Sequence, residues 1–216
     1  TGGADGNRDW VWIRNARDDQ GLDAHLEIRT HDLATLGFWG PDARNALGKF
    51  VDLNTISDEA FPFGTACEIE LALPSGMKVP AWAARISYVG ELGWELYFAN
   101  DPAVGLPLYD AFLEAGVVPV GIETYATSRR LEKSFRLQGA DLETEYNAYE
   151  AAIERTQVKA AHFVGKAAYL EQRTADPAAI LSTMTLDTQR VGDGMARYPV
   201  GTSPILDATS LETLVD

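Results

Sequence analysis

The chain has 216 residues, enough for one large domain or two small ones, and its 46% apolar and 23% charged composition is ordinary for a globular protein. Eighteen basic against 32 acidic side chains leave a net charge of −14, which disfavours nucleic acid and anionic membranes as partners and points to a small-molecule site or a protein partner. No run approaches the roughly 18 apolar residues of a membrane-spanning helix, and no basic-then-apolar leader argues for secretion. The single cysteine, Cys67, excludes an internal disulfide and suits a reducing compartment: the cytoplasm, or the mitochondrial matrix in a eukaryote.

Residues 7–15 read as a short helix with Trp10 and Ile13 on one side and Arg14 beside them. Residues 26–30 and 33–39 read as the two strands of a hairpin. Gly40-Pro41 then opens a helix, because proline suits the first helical position, where a missing N–H is no loss. Ala43, Ala46, Leu47 and Phe50 follow at i, i+3, i+4 and i+7, one buried helical face. Residues 66–73 form a strand, and 79–89 the clearest one, with Trp82, Ala84, Ile86 and Tyr88 alternating onto a single face. Gly90-Glu91-Leu92-Gly93 is a turn, after which Trp94, Leu96 and Phe98 alternate on the next strand. Pro107 starts a further helix, lined by Leu108, Ala111, Phe112 and Ala115 and capped by Gly116. A short strand over 117–120 leads into a helix over 123–135. Helical patterns return at 147–155 and 166–172, and 180–186 reads as a strand. This succession is an α+β layout, antiparallel sheets with helices packed on one face, and not a doubly wound nucleotide fold.

The chain opens Thr1-Gly2-Gly3 without an initiator methionine. It closes on Leu214-Val215-Asp216 after a turn-rich stretch holding Gly192, Gly194, Pro199, Gly201 and Pro204. Both ends fit a piece of a longer sequence.

Absent motifs narrow the chemistry. There is no G-x-G-x-x-G after a strand, no phosphate-binding G-x-x-x-x-G-K-[ST], no H-E-x-x-H and no G-x-S-x-G elbow. One cysteine and three scattered histidines do not make a zinc site, so no metal is expected. His25, His31 and His162 read as surface or loop residues, and Cys67 as a small core residue rather than a nucleophile.

Longer strings carry a family resemblance. Trp39-Gly40-Pro41-Asp42-Ala43-Arg44 is similar to a G-P-D-A strand-to-helix step. Glu59-Ala60-Phe61-Pro62-Phe63-Gly64-Thr65 is similar to a segment that precedes a second sheet. Arg85-Ile86-Ser87-Tyr88-Val89-Gly90-Glu91-Leu92-Gly93-Trp94-Glu95-Leu96 closely matches R-x-S-Y-V-G-E-L-G-W-E-L. Arg130-Leu131-Glu132-Lys133, followed by Phe135, Arg136, Gly139 and Asp141, resembles R-L-E-K-G-Y-R-x-W-G-x-D. Tyr149-Glu150-Ala151 and Phe163-Val164-Gly165-Lys166 with Ala168 resemble the later Y-E-A-G and F-I-G-K-x-A steps. Occurring in order over about 9–207, they resemble the glycine-cleavage T-protein (aminomethyltransferase) superfamily. The resemblance is closest to the folate-binding C-terminal module of dimethylglycine and sarcosine dehydrogenases and oxidases.

The resemblance implies a T-protein-like α+β fold, incomplete at both termini, around a folate channel. Residues 1–75 would be the remainder of a first α+β domain, 76–175 a second, ferredoxin-like one, and 176–216 the start of a β-rich third. It implies tetrahydrofolate as cofactor, transfer of an aminomethyl or methylene unit, and 5,10-methylenetetrahydrofolate as product. Amine oxidation would belong to a separate FAD-dependent domain or subunit, since this chain has no dinucleotide fingerprint. The family's catalytic aspartate lies in a GG-x-x-D segment upstream of the region that Thr1 matches, so no catalytic residue is assigned here. Two readings follow, a one-carbon-transfer module of a dimethylglycine- or sarcosine-oxidising enzyme and a folate-fold binding or assembly module without turnover. A relative acting on another N-methyl amine would share the site.

By the resemblance, Glu91 is the first binding residue: one carboxylate accepts the adjacent N3–H and 2-amino donors of a pterin. Alone it would read as a solvated turn residue. Tyr88 is placed to wall the pterin or p-aminobenzoyl ring, or else is a core tyrosine beside Trp82. Arg129, Lys133 and Arg136 share a helix face by i, i+4 and i+7 spacing, a patch that would steer the glutamate tail of folate or else a surface laced by salt bridges, Glu132 and Arg136 also being spaced i, i+4; the second reading is taken for Arg129 and Lys133, while Arg130, the motif arginine, is expected to bind or organise the site. Departures from the family are Arg129 for leucine, Gln138 for tryptophan, Ser134 for glycine, and Ala152 for a glycine that would allow φ > 0 or a close backbone approach.

Overall fold

The computed structural model describes residues 5–155, 157–185, 204–206, 209–210 and 213–215. The chain divides into two compact units, Thr1–Leu181 and Ser182–Asp216.

The first unit is built on one antiparallel sheet of four strands: β1 (Leu33–Trp39), β2 (Ala66–Ala72), β3 (Lys78–Ala84) and β4 (Gly93–Ala99) in the order β1-β4-β3-β2. Period-2 alternation sends Val79, Ala81 and Ala83 of β3 and Trp94, Leu96 and Phe98 of β4 to one buried face. That face is covered by α2 (Ala43–Leu47), the 3-10 turn Leu53–Ile56 and α3 (Pro102–Glu114). Leu47, Ile56, Phe61, Leu71, Leu96 and Leu108 are wholly shielded, each worth about 1.5–3 kcal/mol of transfer free energy. Phe112 of α3 meets Phe38 and Phe50 edge-on at centroid separations of 4.9 and 5.0 Å. Half-buried Cys67 packs against this core and its thiol pKa is pushed up by burial, as suits a core residue.

Several elements differ from expectation for identifiable reasons. Residues 26–30 form no strand, and β1 pairs with β4 throughout, from Leu33↔Ala99 to Trp39↔Gly93. Ile28 is exposed, so that segment has too little to bury. β3 ends at Ala84 rather than 89, and its buried side is that of Val79, not of Trp82, which is half exposed. The third helix begins at Pro102, not Pro107. Asp101 caps it by accepting from the Ala103 N–H at 2.8 Å, and Pro107 is tolerated inside. Residues 117–120 form no strand, because Pro119 has no N–H to donate and Val118 and Val120 stay exposed. The helix expected over 123–135 is a π-helical turn, Thr124–Arg129, running into a short α4 (Arg130–Glu132). The 147–155 pattern gives one turn only. Residues 180–185 are not a strand, and 186 lies outside the described residues.

The expected helices at the two ends form, as α1 (Gly6–Asp19) and α5 (Lys166–Gln172). The division expected at 75/76 falls in the turn of the β2–β3 hairpin, whose strands pair from Ala66↔Ala84 to Ala72↔Lys78. The second unit contains an antiparallel pair, β5 (Ile205–Leu206) with β6 (Thr213–Val215). Among the described residues no helix is long and apolar enough to cross a membrane.

Candidate functional site

The motif string that matched the family best forms the link between β3 and β4. Arg85, just past β3, still pairs with the neighbouring chain, its N–H donating to Thr65 O and its carbonyl accepting from Gly64 N–H, both at 2.9 Å. Its guanidinium is locked from the other side: Nη1 donates to Phe61 O at 2.6 Å and Nη2 to Asp58 at 2.5 Å. Arg44 also donates to Asp58, and the two cations, Arg44 first, hold that carboxyl below the usual carboxylate range. The chain then turns through Gly90, at φ +76°, and returns at Gly93. A Cβ on Gly90 would lie 2.5 Å from the Lys133 side chain, so glycine lets the lysine stem rest on the turn.

The opposing wall is the segment after α4. Arg130, 7% exposed, donates from Nε to Ala126 O at 2.7 Å and from Nη1 to Phe135 O at 3.1 Å, and pairs with Asp141. Asp141 also accepts the Leu137 N–H at 2.9 Å. Arg136 donates from Nε to Ala151 O at 2.9 Å and from Nη2 to Leu181 O at 3.0 Å. Tyr88 ties the two walls together. Its hydroxyl donates to Arg136 O at 2.9 Å, and its ring lies 6.2 Å from Phe135 and 5.2 Å from Tyr125. Tyr125 in turn stacks on Trp39 at 5.3 Å. Burial raises the Tyr88 phenol above its ordinary value, and neighbouring Arg130 and Asp141 act in opposite senses on it.

Between the walls lies a hollow of about 340 Å³, lined by Phe63, Arg85, Ser87, the 90–93 turn, Lys133 and Phe135. Glu91 reaches it as an exposed carboxylate with no hydrogen-bond or ion-pair partner among the described residues. Of the three binding residues expected from sequence, Glu91 lines the hollow, while Tyr88 and Arg130 stand behind Phe135 and hold it. Tyr88 is packed by Tyr125 and Phe135, not by Trp82. Arg129 pairs with Glu132 at 2.9 Å, as a surface salt bridge should, and Lys133 is drawn into the lining. Phe63, Arg85, Ser87 and Phe135 were not singled out from sequence. The available signal was that Arg85, Ser87 and Glu91 belong to one motif string. His25, His31 and His162 are all exposed, and no group of His, Cys, Asp and Glu among the described residues could hold a metal ion.

The two replaced glycines, one after α4 and one after the 147–151 turn, close the chain in the same way as Gly116. There, Val117 N–H donates to Phe112 O and Gly116 N–H to Leu113 O, the paired bonds of a Schellman close, with φ +91° at Gly116. Ser134 repeats the pattern, through Phe135 to Arg130 and Ser134 to Leu131, with φ +60°. Ala152 repeats it through Ile153 to Ala148 and Ala152 to Tyr149, with φ +52°. The backbone therefore keeps the glycine conformation despite the side chains. Ser134→Gly and Ala152→Gly should each raise unfolding stability by about 1 kcal/mol, measured as a higher urea midpoint. A lower midpoint would mean that side-chain contacts at those positions outweigh the left-handed strain.

Residues 1–160 match the GCVT N-terminal domain family. The chain is 34% identical over 197 residues to mitochondrial dimethylglycine dehydrogenase of Homo sapiens, an alignment covering 88% of this chain and 22% of that protein. It is 33% identical over 194 residues to mitochondrial sarcosine dehydrogenase of Mus musculus, covering 87% and 20% respectively. Identity to the aminomethyltransferase of Chloroherpeton thalassium is 31% over 171 residues, 77% of this chain and 44% of that one. The chain thus spans about a fifth of the length of the two dehydrogenases and under half that of the aminomethyltransferase. With a T-protein-like α+β fold, a Gly90–Gly93 turn in the family's pattern and a family match over most of its length, this chain belongs to the GCVT aminomethyltransferase family.

Proposed function

We propose that this chain is the tetrahydrofolate-binding, one-carbon-transfer module of an enzyme that oxidises dimethylglycine or sarcosine, with 5,10-methylenetetrahydrofolate as product. The observation that carries this reading is the Glu91 carboxylate, without a partner among the described residues, at a hollow lined by Phe63 and Phe135. A pterin fits that lining: its N3–H and 2-amino group donate to one carboxylate acceptor, and its faces suit aromatic walls. When bound, tetrahydrofolate supplies N5, the nucleophile that captures the one-carbon unit.

The chain's own contribution is binding and orientation. Glu91 fixes the pterin edge, while Phe63 and Phe135 exclude water from its faces. Tyr88 and Arg130 act as positioning residues, anchoring the 130–136 segment that carries Phe135. Oxidation of the amine falls to a FAD-dependent domain or subunit, in keeping with relatives several times longer than this chain. The replacements of glycine at 134 and 152 keep a positive φ, so they lend the second reading, a module without turnover, no support.

The test is calorimetric titration with tetrahydrofolate, wild type beside Glu91→Gln, which keeps size but turns one acceptor into a donor. We expect saturable binding that the substitution weakens at least tenfold, about 1.4 kcal/mol. No binding by a folded wild-type chain, or equal binding by both proteins, would sink the reading.

A further inference from the structure

Buried polar side chains nearly always find a hydrogen-bond partner, so each exception asks for a reason. Among the described residues three buried side-chain polar atoms have none: Arg85 Nε, Ser87 Oγ and Trp94 Nε1. Trp94 is sealed in the sheet core. The other two residues both line the hollow that Glu91 enters.

Arg85 cannot turn to find a partner. Its two terminal nitrogens are committed to Phe61 O and Asp58, and its side chain is only 11% exposed, so Nε–H is held where it is. Ser87 is the opposite case. Its hydroxyl holds no hydrogen bond, so a change of rotamer loses none. The residues that line the hollow therefore include a carboxylate acceptor, Glu91, and two buried donors without a partner among the described residues, a fixed N–H and a swivelling O–H.

We infer that Arg85 Nε–H and Ser87 Oγ–H form the oxo-recognising side of this hollow, donating to a ring carbonyl adjacent to the donor edge that Glu91 holds. The inference rests on the proposed folate reading and sharpens it. In a pterin the 4-oxo group is the neighbour of N3–H, so one ring meets all three residues. A 4-amino ring would turn N–H groups toward donors, and buried donors left unpaired discriminate strongly between such ligands. The site is thereby selective for 4-oxopterins over 4-aminopterins.

The experiment is anaerobic titration of the wild-type chain and Ser87→Ala with tetrahydrofolate and with its 4-amino analogue. Wild type should prefer the 4-oxo ligand by about tenfold or more. Ser87→Ala should weaken tetrahydrofolate by about fivefold, leave the analogue within twofold and keep the urea midpoint of the wild type. Unchanged tetrahydrofolate affinity in Ser87→Ala, or an equal loss for both ligands, overturns the inference while leaving the folate reading standing. Absence of any pterin binding by folded wild type overturns both.

Discussion

A Gly93→Ala chain is expected to lose about 3 kcal/mol or more of unfolding stability, read from the urea transition, and to release the turn that carries Glu91. An ideal Cβ at this position lies 2.1 Å from the Phe38 carbonyl oxygen and 2.7 Å from the Trp39 Cα. Neither neighbour is a flexible tip. Both belong to β1, which is held to β4 in the Trp39↔Gly93 register, and Gly40 N–H donates to Leu92 O at 2.9 Å just beyond. Relief requires that the two strands part at the end where the site is built. Gly64→Ala is the natural control. Its φ is also positive, +80°, but nothing lies within 4 Å of the added carbon, so only the left-handed penalty of about 1 kcal/mol applies. Equal losses for the two variants would show that strand separation is easy here and that the close approach does not matter.

The second large effect concerns Arg130. Asp141→Ala should destabilise the fold by about 3–5 kcal/mol, because it strands a guanidinium that is almost entirely out of water. It also removes the acceptor for the Leu137 N–H. Arg130→Met should lose a comparable amount, since Ala126 O and Phe135 O lose their donor together. The double variant Arg130→Met, Asp141→Leu should recover much of the loss, because an apolar pair leaves no uncompensated charge. Losses that simply add in the double variant would mean that the two side chains act independently. If Arg130 organises the hollow through Phe135, the double variant should stay folded yet bind tetrahydrofolate more weakly, a separation of stability from affinity that a purely structural ion pair would not produce.

What was legible in the sequence follows from how local the signal was. The Gly90–Gly93 turn, β4 with Trp94, Leu96 and Phe98 inward, and the face of α3 are set by neighbours in sequence, and all were read correctly. Pairing was not local. The hairpin assigned to 26–30 and 33–39 gives way to β1 against β4 because the sheet rewards burial of Phe38 and Leu36 against a distant strand. Alternation placed Trp82 and Ala84 on one face of β3 without saying which face is covered, and the covered one is that of Val79, Ala81 and Ala83. At the site, Glu91 was legible as a turn carboxylate within a motif. The hollow's other wall was not, since Phe63 and Phe135 approach it from distant parts of the chain. Likewise, glycine replacement at 134 and 152 suggested a changed backbone, yet the paired helix-closing bonds are strong enough to hold serine and alanine at positive φ.

The strand order also dictates a sequence of events during synthesis. β2, β3 and β4 are consecutive neighbours in the sheet and can zip together through short connections as soon as they are made. β1 is made first, but its partner residues run from Gly93 to Ala99, so it waits through the whole of the meander before it can close. The closure it then completes spans more of the chain than any other pairing in the sheet, and it is the one that joins Trp39 to Gly93 beside the site. A nascent chain is therefore expected to form the β2–β3–β4 meander before the Gly90–Gly93 turn is anchored, with Phe38, which packs on Phe112 of α3, buried in that last step.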